Sequence, residues 1–537
     1  MTAAAPDASV SLSPALAAKA APRANLKWLI AFSVALGALL EVVDTSIVNV
    51  ALTDMQASLG ATLTQVSWVV SSYAVANVII LPLTAWLGDR FGKKRYFVFS
   101  LIAFTLASIL CGVSTNLPTL VVARVLQGLG GGGLLAKAQS FLFETFPKSE
   151  QAMAQGFFGA VVIAGPTIGP TLGGYIVTNI GWRWIFFINI PVGIAAVMMC
   201  LAYLPEDVPE AQRDHSSVDW TSIALLAAGL GCLQTVLEEG QSEDWFDSPF
   251  IVSFSIISVV SLVVFVWRQL NSSHPVVDLR VLRHRSLWAG SILSVIVGMG
   301  LYGALFSVPI FAQTMLHFTS QQTGMMLLPG ALASAFAMPI VAKLLGKFDP
   351  RFLLVCGALI IVSALLQLGR LSPQTGEGDL FGPLMIRAFG TVLMFLPLNM
   401  ATLGPLPKED IGAASGFFSL TRQLGGSMGV AILTTILAQR QTYHRMMLVA
   451  HVGVSDQDVI DRVRMLAGGF LAKGYDAVTA NALALKIVDG SVSAQAAVMS
   501  FGDTFWITAV LFVCSLPLVL LLGKPSKAGG DAAMAAH

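Results

Sequence analysis

Long apolar stretches separated by short polar ones dominate the chain. The first runs from just after Lys27 to Leu52, and others centre near residues 77, 105, 130, 164, 194, 228, 259, 298, 331, 360, 391, 424 and 512. Each is long enough for roughly 20 helical residues, the length that crosses a ~30 Å hydrocarbon layer. The pattern predicts an all-α polytopic membrane protein with fourteen spanning helices. Two stretches are marginal: 218–238 ends in Glu238 and Glu239, and 410–438 contains Arg422.

Basic residues orient the array. With the amino terminus inside, the inner segments collect Arg90, Lys93, Lys94 and Arg95 in one loop and Arg268, Arg280, Arg283 and Arg285 in another, whereas the short outer loops hold Arg183 and Arg370. Both termini are then cytoplasmic. Residues 1–25, rich in Ala, Pro and Ser, read as a disordered tail and not as a cleavable signal, because the stretch after them carries Glu41 and Asp44. Residues 524–537 form a second cytoplasmic tail. The long segment 439–500 falls outside by parity; its alternating polar and apolar residues predict either two amphipathic helices that make a docking surface or a plain connector.

Composition agrees with a lipid environment. Apolar residues make up 55% of 537 and charged residues 11%, far from the ~25% charge of an ordinary soluble domain. A net charge of +1 provides no basic field, which excludes a nucleic-acid partner. The five cysteines all lie in apolar stretches and the seven histidines lack ligand spacing, so neither a disulfide framework nor a metal site is expected. Gly128–Gly133 lies in an apolar helix with no Lys-Ser/Thr after it, so it is not a phosphate loop, and no other enzyme motif is present. No cofactor is implied.

A weak internal repeat organises the spans. Arg124, Pro147-Lys148 and Gly156-Phe157-Phe158 are followed by Arg387, Pro407-Lys408 and Gly416-Phe417-Phe418, displaced by 263, 260 and 260 residues. The implied plan is a six-helix bundle over 26–204, a linker with two additional helices over 205–270, and a second six-helix bundle over 271–523. Duplicated bundles meeting at a midplane cavity are the architecture of alternating-access transporters.

Charges inside the spans carry the chemistry. Glu41 and Asp44 share one face of the first helix. Asp44 and Arg124, on the fourth helix, both lie roughly 9–10 Å from the outer end, a matched depth that lets them pair. Two alternatives stand: a permanent ion pair that locks the bundle, or a carboxylate whose proton affinity switches as the arginine approaches and the cleft dries. Glu41, nearer mid-membrane, is a second candidate for the proton carrier. Lys137 either snorkels to the inner interface or lines a cavity or gate. Arg422 and Gln423 are expected to face the bundle interior and, with Tyr73, Phe157, Phe158, Tyr302 and Phe306, to line a permissive cavity. In the fifth helix Gly165, Gly169 and Gly173 form a smooth ridge beside Pro166 and Pro170, either a fixed packing seam or a bending one. Asp89 and Arg90, in the basic loop, suit inside retention or a latch.

Gly88-Asp-Arg-Phe-Gly-Lys93, Arg124-Val-Leu-Gln-Gly128 and the fifth-helix pattern resemble three signatures of the major facilitator superfamily. Asp44-Thr-Ser-Ile-Val-Asn-Val50, Trp182-Arg-Trp-Ile-Phe-Phe-Ile-Asn-Ile-Pro191 and Pro275-Val-Val-Asp-Leu279 resemble its fourteen-helix drug:proton antiporter branch, of the EmrB/QacA type. The similarity covers about 26–440 and the last helix, with Ala85 and Thr53 departing from its pattern. It implies export of hydrophobic or amphipathic toxic compounds from the bacterial inner membrane in exchange for protons. It further implies a periplasmic adaptor and an outer-membrane channel as partners. Asp44 and Arg124 would couple protons, Asp89 and Arg90 would gate the inner side, and Gly165, Pro166 and Gly169 would form the antiporter motif. Rival functions on the same fold are dedicated export of one metabolite, siderophore or fatty acid, uptake, and sensing without transport.

Overall fold

The computed structural model describes residues 24–207, 218–272, 275–372, 374–452 and 456–522. The expected tails at 1–25 and 524–537 lie largely or wholly outside the described residues, as do residues 208–217 near the start of the linker. Those described are helical throughout, with no strand among them. Among the described residues, thirteen helices are long and apolar enough to cross a membrane. The remaining expected span, centred on 424, is also a helix, Ile411–Ala450, but its polar residues keep it below that threshold. The protein is a multi-pass membrane protein.

In chain order the spans are Asn25–Leu59, Thr64–Phe91, Lys93–Val113, Leu117–Thr145, Gln151–Asn179, Trp184–Tyr203, Trp220–Glu239, Pro249–Asn271, Arg285–Thr314, Gln321–Leu345, Pro350–Leu368, Gly378–Leu403, Ile411–Ala450 and Ala477–Leu521, numbered first to fourteenth below. Their starts carry ordinary helix signals. Thr62 and Gln65 form a capping box, Asn116 accepts from the Thr119 N–H ahead of the fourth span, and Thr319 with Gln322 repeats the box before the tenth. The first helix continues past the apolar stretch to Leu59, because Thr53, Asp54, Gln56 and Ser58 keep helical geometry after the greasy residues end.

Two spans are broken. The second passes through a tight turn at Leu81–Leu83, where Pro82 lacks an N–H. The fourth is not the single helix expected across Gly128–Gly133: it stops at Gly131 and restarts at Leu134. The glycines let backbones approach there, since a Cβ on Gly128 would meet the Tyr73 carbonyl and one on Gly132 the Asn77 backbone.

The repeat is visible as a pair of seams. In the fifth span Gly165 packs on Val42, Gly169 on Ser46 and Gly173 on Ile47, all in the first span. Gly425 and Gly429, 260 residues further on, pack in the same way on Val295 and Met299 of the ninth. Pro166 and Pro170 are accommodated inside a continuous helix. The seventh span packs against the second and thirteenth and carries the eighth on its other side, Leu226, Leu230 and Phe265 sharing one apolar cluster with Val78, Leu81 and Leu420. The eighth turns Ile256, Val259, Val260, Val263 and Trp267 outward, as a lipid-facing helix must.

The segment 439–500 is neither two separate helices nor a plain connector. The thirteenth helix runs on to Ala450, Gln457–Ala472 is a separate amphipathic helix, and the fourteenth begins at Ala477. Val463, Leu466, Ala467 and Phe470 close onto Ala480 and Ala484. Arg440 and His444 both bond Asp503, at 2.5 and 2.8 Å, and Arg445 bonds Asp489 at 2.7 Å. A 40-residue helix is about 60 Å long, twice the hydrocarbon thickness, so this ensemble projects beyond the spans.

Candidate functional site

The broken fourth span and the first helix together build the polar centre of the amino-terminal half. Arg124 Nη1 donates to Asp44 Oδ2 at 2.5 Å, and both side chains are fully buried. The second carboxylate oxygen of Asp44 accepts from Gln127 Nε2 at 2.9 Å and Asn189 Nδ2 at 3.0 Å. Arg124 donates in addition to the Val69 carbonyl and to Gln127 Oε1, and lies over the Tyr73 ring at 4.2 Å. Asp44 thus accepts from three side chains, which makes it a closed, well-satisfied pair.

Glu41 stands one helical turn away in a different setting. One carboxylate oxygen accepts from Asn77 Nδ2 at 2.9 Å and the other from the Leu135 N–H at 2.8 Å. Leu135 lies in the first turn of the second half of the broken span, so the free N–H groups and positive end of that helix face the carboxylate. Glu41 also lines a central cavity. Val42, Val162, Ile163 and Pro166 complete its amino-terminal wall; Leu301, Tyr302, Leu327, Arg387, Phe395 and Gln423 stand on the other. Apolar walls with few polar groups suit amphipathic small molecules.

The two halves touch at both ends of the cavity. Towards the end that carries the basic loops, called inner here, Gly416 packs on the Leu81 carbonyl and Thr84, Gln139 donates to Asn399 at 3.0 Å, and Lys408 reaches the Glu144 carbonyl. At the opposite end Gly324 packs on Thr171. The seventh span bridges the halves as well: Glu239 accepts from Ser71 at 2.6 Å, and Gln234 donates to Ser427 at 2.7 Å.

Several expected cavity residues sit elsewhere. Tyr73 lies beneath Arg124, Phe157 edges against Trp28, and Phe158 belongs to the hydrophobic core. Arg422 is sandwiched by the Phe395 and Phe418 rings at 5.2 and 5.7 Å. The side chain of Phe306 lies outside the described residues. Lys137 does not snorkel: it is 2% exposed, its Nζ rests against Gly88, and that nitrogen has no hydrogen-bond acceptor. The close approach of Gly88 leaves room for it.

Charges of the basic loop tie the amino-terminal half to itself. Lys93 bonds Glu144 at 2.8 Å and Lys94 bonds Glu206 at 2.7 Å, while Asp207 caps the third span at the Lys94 and Arg95 N–H groups. The Lys94 ammonium holds the Glu206 carboxyl below its usual range. Asp89 is exposed, and Arg90 lies over the Trp86 ring at 5.6 Å. Asn77, Gln127 and Asn189 are site residues that sequence reasoning missed. Gln127 and Asn189 were inside quoted motifs, and a polar amide within an apolar span was the available signal.

A profile described as Major Facilitator Superfamily matches residues 34–430. The multidrug export protein EmrB of Escherichia coli (strain K12) is 32% identical over 508 residues, 93% of this chain and 96% of its own. The fatty acid resistance protein FarB of Neisseria gonorrhoeae is 30% identical over 507 residues, 94% and 98% of the two chains. Among solved structures, the proton:xylose symporter XylE bound to 6-bromo-6-deoxy-D-glucose has the same fold, with a TM-score of 0.61 at 13% identity over 92% of this chain and 95% of its own. The chain belongs to the major facilitator superfamily.

Proposed function

We propose that this protein exports small hydrophobic or amphipathic compounds across a bacterial inner membrane, both termini cytoplasmic, in exchange for protons. The observation that carries the proposal is the placement of Glu41 on the cavity wall, one turn from the sealed Asp44–Arg124 pair. Similarity to EmrB supports the substrate class and, with it, a periplasmic adaptor and outer-membrane channel as partners.

In this reading Glu41 takes a proton from the cavity. Neutralising it weakens its hold on the Leu135 N–H and the positive helix end, which loosens the break in the fourth span. Asp44 and Arg124 hold the first and fourth spans in register and relay that change to Gln127 and Asn189. The glycine seams between spans one and five and between nine and thirteen provide smooth surfaces for the halves to rock. The proton is the coupling ion, and no other cofactor is required. Lys93 and Lys94, with Asp89 and Arg90 nearby, anchor the inner end during that motion.

Purified protein in proteoliposomes tests this. Substrate addition should release protons, and Glu41→Gln should bind substrate yet release none. Substrate-driven proton flux unchanged in Glu41→Gln, with Asp44→Asn also unaffected, would refute the mechanism.

A further inference from the structure

The two walls of the cavity differ in what they leave unsatisfied. On the amino-terminal wall, Glu41 has both carboxylate oxygens engaged within the protein. The facing wall carries Arg387, which is 9% exposed, and whose Nε has no hydrogen-bond partner. Among the described residues its side chain enters no hydrogen bond or ion pair. Its polar neighbours turn elsewhere: Thr391 donates to the Arg387 carbonyl at 2.9 Å and Ser334 to the Gly330 carbonyl at 3.0 Å, and neither hydroxyl accepts from the guanidinium. Behind Arg387 lies a smaller apolar void that reaches Leu365 and Phe512. Glu41 is the one acidic residue among those lining the cavity, and it is already bonded.

A guanidinium buried among apolar side chains without a counter-ion is costly, and a cost retained at a cavity wall indicates a partner that arrives from the cavity. We propose that Arg387 is an anion-recognition site. The carboxylate, sulfonate or phenolate of an amphipathic substrate docks on its planar fork, which offers two parallel N–H donors, and the apolar body lies along Leu301, Val162 and Ile163. The inference rests on the cavity being the substrate site and adds the charge of the substrate to it. Because Glu41 is engaged from within, it does not select cations in this arrangement.

The test uses three probes of matched ring size and different charge: 2-naphthoate, 2-naphthamide and N-methylquinolinium. Binding to the full-length protein in neutral detergent is read by intrinsic fluorescence or calorimetry at pH 7.5. The wild type should bind the naphthoate about tenfold or more tightly than either other probe, the size of a charge-assisted hydrogen bond. Arg387→Gln should erase that preference with naphthamide binding unchanged, and Arg387→Lys should keep part of it. Equal wild-type affinities, a preference surviving Arg387→Gln, or equal loss of all three probes would overturn the proposal. A resident lipid headgroup offers the same charge, so displacement of naphthoate by phosphatidylglycerol would reassign the site to lipid and overturn the substrate assignment. Naphthoate binding as expected with no proton exchange in proteoliposomes would instead refute the export mechanism and leave the anion site standing.

Discussion

Replacing Asp44 by Asn separates what the buried pair does for folding from what it does for coupling. The Asp44 and Arg124 side chains are 0% and 1% exposed, so removing one charge strands the other without water. Breaking such a pair costs about 3–5 kcal/mol, whereas replacing both partners costs far less. The amide cannot substitute. If its oxygen serves Gln127 and Asn189, its nitrogen points at the Arg124 donor; the flipped amide points at Gln127 and Asn189 instead. Gln127 cannot turn to compensate, because its Oε1 already accepts from Arg124 at 2.7 Å. At roughly 1.4 kcal/mol per tenfold, the ratio of folded to unfolded protein falls by about two to nearly four orders of magnitude. The assay is thermal unfolding in detergent of wild type, Asp44→Asn, Arg124→Gln and the double variant. Each single variant should unfold well below wild type, and the double should recover part of the loss while remaining inactive in proton-coupled transport. Asp44→Asn as stable as wild type, or a double variant no better than the singles, would refute the reasoning.

Gly169→Leu, which would drive a side chain into Ser46 and the Ile47 N–H, should abolish transport and cost about 1–3 kcal/mol by overpacking, with Gly429→Leu behaving alike at the second seam; dye efflux from vesicles checks both. Asp219 caps the seventh span through Ser222 and bonds Arg268 at 3.0 Å, which holds its carboxyl down at about 2. A depressed pKa contributes stability that is present above the unfolded value near 3.8 and is lost as pH falls through about 2. Asn caps as well as Asp, so Asp219→Asn removes only the ion pair with Arg268: it should lower the unfolding temperature slightly at pH 6, and the gap to wild type should close between pH 4 and 2. Gly88→Val should displace the buried Lys137 ammonium and disturb the inner turn, and Lys137→Met should relieve it; limited proteolysis of the 88–95 loop reads the difference.

The spans were legible because lipid leaves a direct record: a helix that crosses it must be apolar for about 20 residues. Matched depth brought Asp44 to Arg124, and the i+4 glycines of the fifth helix marked a real seam. Azimuth was not legible. A charge in an apolar run reveals its depth and not the direction it faces, so Arg387, which lines the cavity, went unassigned to it, while Arg422, which packs between rings, was assigned there. Lys137 near a helix end fits snorkelling by depth alone; only Gly88, which has no side chain where the ammonium sits, explains why it points inward. The break at Gly132–Gly133 depends on which backbone the glycines meet in space, and glycine runs are common inside membrane helices. The thirteenth span was marginal because of its own polar residues, yet it was read from its apolar stretch and is a helix.

That thirteenth helix is a rigid lever. It runs unbroken and without proline from Ile411 to Ala450, past Gln423 at the cavity wall. From Gln423 to the tip is about 40 Å, so a tilt of roughly 10° at the wall sweeps the far end through about 7 Å. A small repacking around a bound molecule is thereby magnified at the protruding end, where a pair of spin labels would register it more readily than at the wall itself.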